Sequence, residues 1–396
     1  MGHEPSAPPV RKSVAAIRES LIATRRDLHR HPELSWQETR TQRVIIERLR
    51  ALPLDDVRRI AKTGATALLN GARPGRCVAW RADIDALPIP ERNELPFRSA
   101  TEGVMHACGH DAHVAIALGL AEVLAARKDT FAGSVRFIFQ PAEEASGGAP
   151  ACIAEGVLDA PHVSRVLGLH ISADVPLGAI NVAAGPFFAA PTFFRLVIEG
   201  RGGHAASPQQ SVDAIVVAAH VITALQTVVS RSVAPSDPAV LTVGKVEAGF
   251  RSNVIAESAT MTGTIRSYSD RVRDLIVTRA EEIATGVCAA FGATCRFEHR
   301  TSCPPVVNDA EVTADVIGEA IAYFGAGRVY SAPGMGADDM AVFLQERPGC
   351  YFWLGARNEP KGIAGRHHDP GFMIDEDALP AGVEFALRLI ERSTPL

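Results

Sequence analysis

The 396-residue sequence predicts an α/β domain into which a smaller α+β domain is inserted. Short apolar strands alternate with helical patterns up to about residue 186, and the same alternation resumes after about residue 300. The segment between them reads strand-helix-strand-strand-helix-strand, which is typical of an antiparallel sheet with both helices on one face. We therefore expect residues 1–186 and 301–396 to form the larger domain and residues 187–300 to form the inserted one.

Composition narrows the classes of function. With 47% hydrophobic and 21% charged residues the chain has the composition of an ordinary soluble globular protein. A net charge of −5 without a basic run argues against nucleic acid or an anionic membrane as partner, and favours a small molecule. No uninterrupted apolar run is expected to span a bilayer. Seven cysteines without a paired framework fit a reducing compartment, so we expect a cytoplasmic protein.

Metal-capable side chains are most concentrated in the stretch from Val104 to His113. A thiol at Cys108 and an imidazole at His110 flank a glycine that permits a tight turn, so both can face one ion. An apolar helical run follows at once, and its N-terminus is expected to favour the thiolate form of Cys108. The alternative is a plain helix start, capped by Asp111, whose histidines only satisfy hydrogen bonds.

Further polar side chains follow three predicted strands, which run from Cys77 to Trp80, Gly133 to Gln140 and Val163 to Leu169. Open α/β sheets keep their sites at such carboxyl ends. The side chains found there are, in chain order, Asp83, Asp85, Glu143, Glu144 and His170. Asp83 is a candidate support for a metal ligand, although a turn with Asp85 bonded to its own backbone fits equally well. Of two adjacent glutamates at a strand end, one can bind metal while the other faces a substrate.

Two other segments carry histidines. His29 and His31 lie near the end of the first predicted helix, where their charge would complement the helix dipole, and we assign them no ligand role. A second pair, His367 and His368, precedes the last helix, predicted from about Glu376 to Glu391 with Asp375 as its cap.

One group of side chains from four separate loops brings together a sulfur, three imidazoles and a carboxylate: Cys108, His110, Glu144, His170 and His368. Five donors exceed the usual four of a structural zinc site. They suit two divalent ions roughly 3.5 to 4 Å apart that polarise a carbonyl and activate a water, with Glu143 as general base. The donor types leave zinc, manganese and cobalt open.

Together these motifs resemble the aminoacylase/carboxypeptidase family of dinuclear metallopeptidases. The matching segments cover nearly the whole chain and are, in order, Arg26 to Leu34, Arg81 to Pro88, Met105 to Asp111, Pro141 to Glu144, Gly168 to His170, Gly203-His204, Ser252 to Ile255 and His368 to Glu376. The likeness is greatest to the N-acyl-amino-acid amidohydrolases, which include hippurate hydrolases, bacterial aminoacylases, auxin-conjugate hydrolases and thermophilic carboxypeptidases.

The resemblance implies more than the residues alone. It implies a catalytic α/β domain with a binuclear metal site and an inserted ferredoxin-like lid that commonly forms a homodimer. It further implies that His204 of the lid, often the partner's lid, stabilises the oxyanion, and that Asn253 and Arg266 hold the substrate. On the residues alone, Arg266 could instead be a surface arginine in a local salt bridge and Asn253 a turn residue.

The chain departs from the family pattern at two places. Other branches carry His-x-Asp where Arg81-Ala82-Asp83 stands, so we expect Cys108 to compensate for the missing ligand. Many relatives have Gly-x-Glu-Asp-Phe where this chain has Gly336-Ala337-Asp338-Asp339-Met340. Asp338 has a shorter side chain than the glutamate of these relatives, and Met340 lacks the ring of their phenylalanine. Both differences are expected to reshape the substrate pocket.

The favoured function is hydrolysis of the amide bond of N-acyl amino acids by two divalent metal ions. One alternative keeps the chemistry but takes a dipeptide, as a dipeptidase or carboxypeptidase would, or a carbamoyl compound. Another is an inert small-molecule binder or scaffold. Glu143 beside a full ligand set argues against the inert protein, because a binder needs no general base.

Overall fold

The computed structural model describes residues 5–395 and forms two compact units. The first unit reaches Phe187, resumes over Val307–Pro333 and continues from Asp338. The second comprises Phe188–Val306 and Gly334–Ala337. The second unit is therefore an insertion within the first, as the sequence pattern indicates.

Regular elements alternate along the first unit and then follow a different order in the second. The α-helices of the described residues are α1 Lys12–Ala16, α2 Arg18–Arg30, α3 Thr39–Arg50, α4 His110–Ala125, α5 Gly148–Ala154, α6 Ala214–Thr227, α7 Asp270–Ala290, α8 Ala310–Phe324, α9 Met340–Glu346 and α10 Ala378–Ser393. The strands are β1 Asp55–Ile60, β2 Gly64–Asn70, β3 Arg73–Asp83, β4 Ala132–Gln140, β5 Val163–Pro176, β6 Ile180–Asn181, β7 Gly185–Phe188, β8 Ala190–Glu199, β9 Gly203–His204, β10 Ala239–Ala248, β11 Val254–Ile255, β12 Ser258–Ser267, β13 Thr294–Thr301, β14 Val306–Asn308, β15 Val329–Tyr330 and β16 Gly349–Arg357.

The first unit is built on an eight-stranded mixed sheet in the order β1-β2-β4-β3-β5-β16-β6-β15. At its centre β3 runs parallel to both β4 and β5. Asp83 pairs with Gln140 at the end of β3, so the carboxyl ends of β3 and β4 coincide. Helix α4 is buried along almost its whole length and packs against α2 and α10. This register places the residues that follow β3 and β4 beside the start of α4.

Strand β5 is longer than the sequence predicts. The prediction ended it at Leu169, with His170 just beyond, but the strand continues to Pro176. Its pairing with β3 stops at Arg81↔Gly168, whereas its pairing with β16 goes on through Trp353↔His170. His170 therefore lies where β5 has lost one neighbour and kept the other, which leaves room on the β3 side.

The last helix begins later than predicted, at Ala378, and its N-cap residue is Asp377 rather than Asp375. The Asp375 carboxylate instead accepts hydrogen bonds from the backbone N–H of Asp377, at 3.1 Å, and from the Asn358 amide, at 2.6 Å. Asp375 thus ties the entry of α10 to the loop after β16.

The second unit contains a four-stranded antiparallel sheet in the order β10-β12-β8-β13. Along the chain its elements follow the order β8-α6-β10-β12-α7-β13. Both helices pack on one face, because alternate residues of β8 and β12 join side chains of α6 and α7 in a single apolar cluster. This is the ferredoxin-like arrangement, and we call the second unit the lid.

Helix α6 continues through a π-helical turn to Ser232, and the segment Ala214–Ser232 is long and apolar enough to span a membrane by length and composition, with a mean hydropathy of 1.5. The sequence analysis considered only uninterrupted apolar runs, and this segment is interrupted by His220, Thr223 and Gln226. In the structure Val217, Val221 and Leu225 are buried in the apolar cluster of the lid. The hydropathy of α6 is explained by this packing, together with apolar residues that remain exposed.

Candidate metal centre

The turn before α4 brings Cys108 and His110 to one side of the chain. Gly109 between them has φ = 90°, and a Cβ atom there would lie 2.3 Å from Cγ2 of Ile171. Only glycine fits both the left-handed backbone and the close approach of β5. The prediction of a tight turn at Gly109 is confirmed.

The potential ligand atoms form two adjoining groups that share Cys108. One contains Cys108, His110 and Glu144, and the other contains Cys108, His170 and His367, with the ligand atoms of each group within 4.8 Å of one another. His368, the predicted ligand, lies beside the first group, since its Nε2 atom is 3.4 Å from Oε1 of Glu144. The structure therefore brings all five predicted ligands together and adds His367, which the sequence reasoning did not select.

The two neighbouring histidines differ in their surroundings. His367 is partly buried, its Nε2 atom accepts the backbone N–H of Ala173 at 3.2 Å, and its Nδ1 atom has no hydrogen-bond partner within residues 5–395. His368 is half exposed, with φ = 61°, a strained conformation for a residue other than glycine. Strain of this kind commonly marks a functional position.

A divalent ion fits this set of donors. Nε2 of His110 is buried and has no hydrogen-bond partner within residues 5–395, which is costly unless another group coordinates it. Burial alone would lower the pKa of His110, but the carboxylates of Asp83, Asp85 and Glu144 raise it to about 10. The same field of carboxylates would stabilise a bound cation.

The ionisation of Cys108 differs from the prediction. The N-terminus of α4 was expected to favour the thiolate, but burial, together with Glu144 and Glu143, raises the pKa of the thiol well above its usual value. Desolvation and negative neighbours outweigh the partial positive charge of the helix. A thiolate at this position needs a cation beside it, which agrees with a ligand role for Cys108.

Asp85 holds three residues of the site in place. Its carboxylate accepts the backbone N–H groups of Glu143 and Glu144 at 3.2 and 3.1 Å, and it lies 3.3 Å from Nδ1 of His110. The hydroxyl of Ser35 donates to it at 2.7 Å. The sequence reasoning treated Asp85 as a residue bonded to its own backbone, whereas its partners come from three distant segments. Metal-bound histidines are commonly oriented by such a carboxylate.

His113 is a second supporting residue that the sequence did not identify. Its Nδ1 atom hydrogen-bonds to Asp83, and its Nε2 atom accepts the backbone N–H of Ile171 at 2.8 Å. Both ring nitrogens are thus occupied by the protein, so His113 connects the end of β3 to the residue after His170. Asp83, predicted as a candidate support for a metal ligand, also accepts a hydrogen bond from Arg81 at 2.7 Å, and its supporting role stays a prediction.

Glu143 lies in a pocket of carboxylates. It is buried, and burial, with Asp338, Glu144 and Asp339 nearby, raises its pKa well above the usual value. A carboxylate with a raised pKa is a stronger base than an exposed one, which suits proton transfer near neutral pH. Arg81 compensates part of the charge through ion pairs of 2.7 to 3.1 Å with Asp83, Asp338 and Asp339.

The predicted lid residues occupy two places. His204 lies in the short ribbon β9–β11, opposite Val254, and the carbonyl of Asn253 accepts the backbone N–H of Ala205 at 3.2 Å, so His204 and Asn253 are neighbours. Arg266 belongs to β12 of the four-stranded sheet, where its guanidinium lies 5.7 Å from the Phe193 ring centre. Burial lowers its pKa, and in the described chain no carboxylate lies within ion-pair distance of it. The local salt bridge considered for Arg266 is therefore not present.

Comparison with known proteins supports the motif-based interpretation. Residues 79–392 match the family described as peptidase family M20/M25/M40. N-acetylcysteine deacetylase of Bacillus subtilis is 40% identical over 94% of this chain and 97% of its own. Thermostable carboxypeptidase 1 of Saccharolobus solfataricus is 38% identical over 94% and 95%.

Solved structures extend the likeness to the fold. A dinuclear metal-binding M20 peptidase from Bacillus subtilis superposes with a TM-score of 0.81 at 34% identity, over 96% of this chain and 98% of that one. A putative aminohydrolase from Staphylococcus aureus gives 0.86 at 36%, with the same coverage. The resemblance inferred from the motifs is confirmed: this chain is a member of peptidase family M20/M25/M40.

Proposed function

We propose that this protein is a metal-dependent amidohydrolase that cleaves N-acyl amino acids to a carboxylic acid and a free amino acid. The observation that carries the proposal is the cluster of Cys108, His110 and Glu144 with Glu143 beside it, a ligand set adjacent to a base. Relatives named N-acetylcysteine deacetylase and N-acetyldiaminopimelate deacetylase support an N-acyl amino acid as substrate. The carboxypeptidases among the relatives support the alternative, a peptide with a free C-terminus.

The residues divide the work of hydrolysis. Two divalent ions, held by Cys108, His110, Glu144, His170 and His368, would supply Lewis-acid polarisation of the scissile carbonyl. Glu143 accepts the proton of the attacking water and delivers it to the leaving nitrogen. Asp85 fixes the backbone of Glu143 and the ring of His110, and His113 fixes the strand that carries His170. His204 donates to the oxyanion, and Arg266 with Asn253 binds the substrate carboxylate.

The first test is a substrate panel. We expect purified holoenzyme to release amino acid from N-acetyl and N-benzoyl amino acids, detected with ninhydrin, and to lose this activity with chelator. Dipeptides with a free amino group are expected to be poorer substrates, and a preference for them would favour the peptidase alternative. Full activity in metal-free protein would contradict the proposal.

The second test separates the base from the ligands by metal content. Glu143→Gln should keep its metal and lose roughly 10²- to 10⁴-fold in rate, because only proton transfer is removed. Glu144→Ala and His368→Ala should lose metal, measured by elemental analysis after dialysis.

His367→Ala is the matched variant for His368→Ala. We propose His368 as the ligand because its Nε2 atom lies 3.4 Å from Oε1 of Glu144, so His367→Ala should retain metal. The reverse result would exchange the roles of the two neighbours. Equal metal loss in Glu143→Gln and Glu144→Ala would mean that both glutamates are ligands.

The third test concerns the carboxylate of the substrate. Arg266→Ala should lose activity chiefly on N-acyl amino acids and much less on their methyl esters, because its guanidinium pairs with the free carboxylate. His204→Ala should depress kcat on both by ~10²- to 10³-fold, as expected for loss of an oxyanion donor.

Arg195→Ala provides the control for Arg266→Ala. Arg195 belongs to the same sheet but lies 3.9 Å from Glu298 and is 45% exposed. It should leave both activities unchanged. If Arg266→Ala hydrolyses N-acyl amino acids as well as the wild type, the carboxylate is recognised elsewhere.

The lid is the proposed surface for homodimerisation. Strand β10 forms one edge of its sheet, and α6 exposes Ile215 and Val216, which are 48% and 45% accessible. An open edge beside apolar side chains favours association with a second copy through an isologous contact.

A cytoplasmic location likewise remains a prediction from the cysteine pattern.

The fourth test is therefore the oligomeric state. We expect a dimer by light scattering and a monomer for Val216→Glu, since a buried unpaired carboxylate opposes the contact. Ile321→Glu, at a 45% accessible site on α8 of the first unit, should leave the dimer intact. A monodisperse, fully active wild-type monomer would exclude the proposed dimer.

A further inference from the structure

Two cysteines of the lid meet where the chain reverses after α7. The backbone N–H of Ala293 donates to the carbonyl of Cys288 at 2.9 Å, and that of Gly292 donates to Ala289 at 3.1 Å. Gly292 has φ = 74°. These are the two bonds and the left-handed residue of a Schellman motif, which turns the chain back along the helix it has just left. Strand β13 therefore starts beside the last turns of α7.

The side-chain alternation of β13 directs Cys295 towards that helix. Cys295 and Phe297 are partly buried, whereas Thr294 and Arg296 are exposed. The Sγ atom of Cys295 lies 3.8 Å from Oγ1 of Thr285. Thr285 is three residues before Cys288, so both lie on the same face of α7. Cys288 and Cys295 belong to the same apolar cluster, and the Cys295 thiol lies close enough to raise the pKa of Cys288.

We propose that Cys288 and Cys295 form a reversible disulfide when the protein meets a peroxide. Of the seven cysteines, all within residues 5–395, Cys295 alone is not buried, so an oxidant reaches it first. Hydrogen peroxide transfers one oxygen atom to the Cys295 thiol, which becomes a sulfenic acid. The other oxygen of the peroxide leaves as water. The Cys288 thiol then attacks that sulfur, the S–S bond forms, and the sulfenic oxygen leaves with the thiol proton as a second water. The two thiols are oxidised by two electrons, and the peroxide is reduced.

The positions of Cys288 and Cys295 determine which elements of the lid the disulfide would join. Strand β13 is an edge strand with β8 as its one neighbour in the sheet, and the disulfide would join it to α7. Burial and the neighbouring Cys295 raise the pKa of Cys288 to about 12, so Cys288 is not the thiol that peroxide oxidises first. Contact with Cys295 compensates for this low reactivity, because the second step is intramolecular. Cellular thiols would return the pair to the reduced form.

Peptide mapping tests the proposal directly. Trypsin cuts after Arg279 and Arg296 and at no site between them, so both cysteines fall in one peptide, residues 280–296. Native metal-loaded protein is treated with hydrogen peroxide, then denatured and alkylated. We expect this peptide to be lighter by two hydrogens and to carry no alkyl group. If the oxidised protein is reduced before alkylation, the peptide should carry two alkyl groups.

Two variants make the result specific. In Cys288→Ser the sulfenic acid of Cys295 should persist and be trapped by dimedone, whereas in wild type the trap should find little. Cys303→Ser removes another buried lid cysteine and should leave the disulfide unchanged. Recovery of the wild-type peptide with two alkyl groups after peroxide, or with Cys295 trapped and Cys288 alkylated, would overturn the proposal.

Discussion

The stability of the first unit depends on how the excess of buried negative charge at the carboxyl ends of β3 and β4 is compensated. Six carboxylates converge there within the described chain, all buried or nearly so: Asp83, Asp85, Glu143, Glu144, Asp338 and Asp339. Arg81 is the permanent cation among them, and the carboxylates around His110 raise the pKa of that histidine to about 10. An uncompensated buried charge destabilises the fold by roughly several kcal/mol per ion. A bound divalent cation offsets that cost, so folding and metal binding are thermodynamically linked in this protein.

The sequence identified the clustered metal-capable side chains better than the residues that hold them in place. Cys108, His110 and the glutamate pair stand out because their side chains have few uses other than chemistry when they cluster at strand ends. Asp85 and His113 could not be assigned in this way, since their partners are backbone groups of Glu143 and Ile171, which lie 58 residues away along the chain in both cases. Such pairings arise from the parallel register of β3, β4 and β5. A pattern of residue types does not encode that register.

The same limit explains two other differences. His29 was interpreted as a charge at a helix end, but it is buried, and its ring nitrogens contact Asp111 and Glu91 at 2.9 and 3.2 Å. Asp111 also pairs with Arg25, at 3.0 Å, so the residue considered in the alternative interpretation as the cap of α4 joins α4 to α2. In the lid, where local periodicity dominates, the order of the four main strands and two helices was predicted, although the short strands β9 and β11 were not. Long-range polar pairs were the part of the structure that periodicity could not supply.

The departure at Asp338 and Met340 bears on specificity in a way the sequence did not suggest. Both were expected to reshape the substrate pocket. In the structure Asp338 accepts the Tyr351 hydroxyl and the backbone N–H of Met340, each at 2.7 Å, and its carboxylate also pairs with Arg81. Asp338 also lies in one group with Glu143, so the expectation for the pocket stays a prediction. Met340 is fully buried. Asp338 therefore helps to hold Arg81 in place through its ion pair, and Met340 occupies a buried position where many relatives have phenylalanine. The proposed recognition of the substrate carboxylate depends instead on Arg266 of the lid. Its Nη1 atom donates to the carbonyl of Ile265 at 3.3 Å, and its guanidinium lies beside the Phe193 ring. Because no carboxylate of the described chain pairs with this guanidinium, its positive charge is available for the carboxylate that we propose it binds.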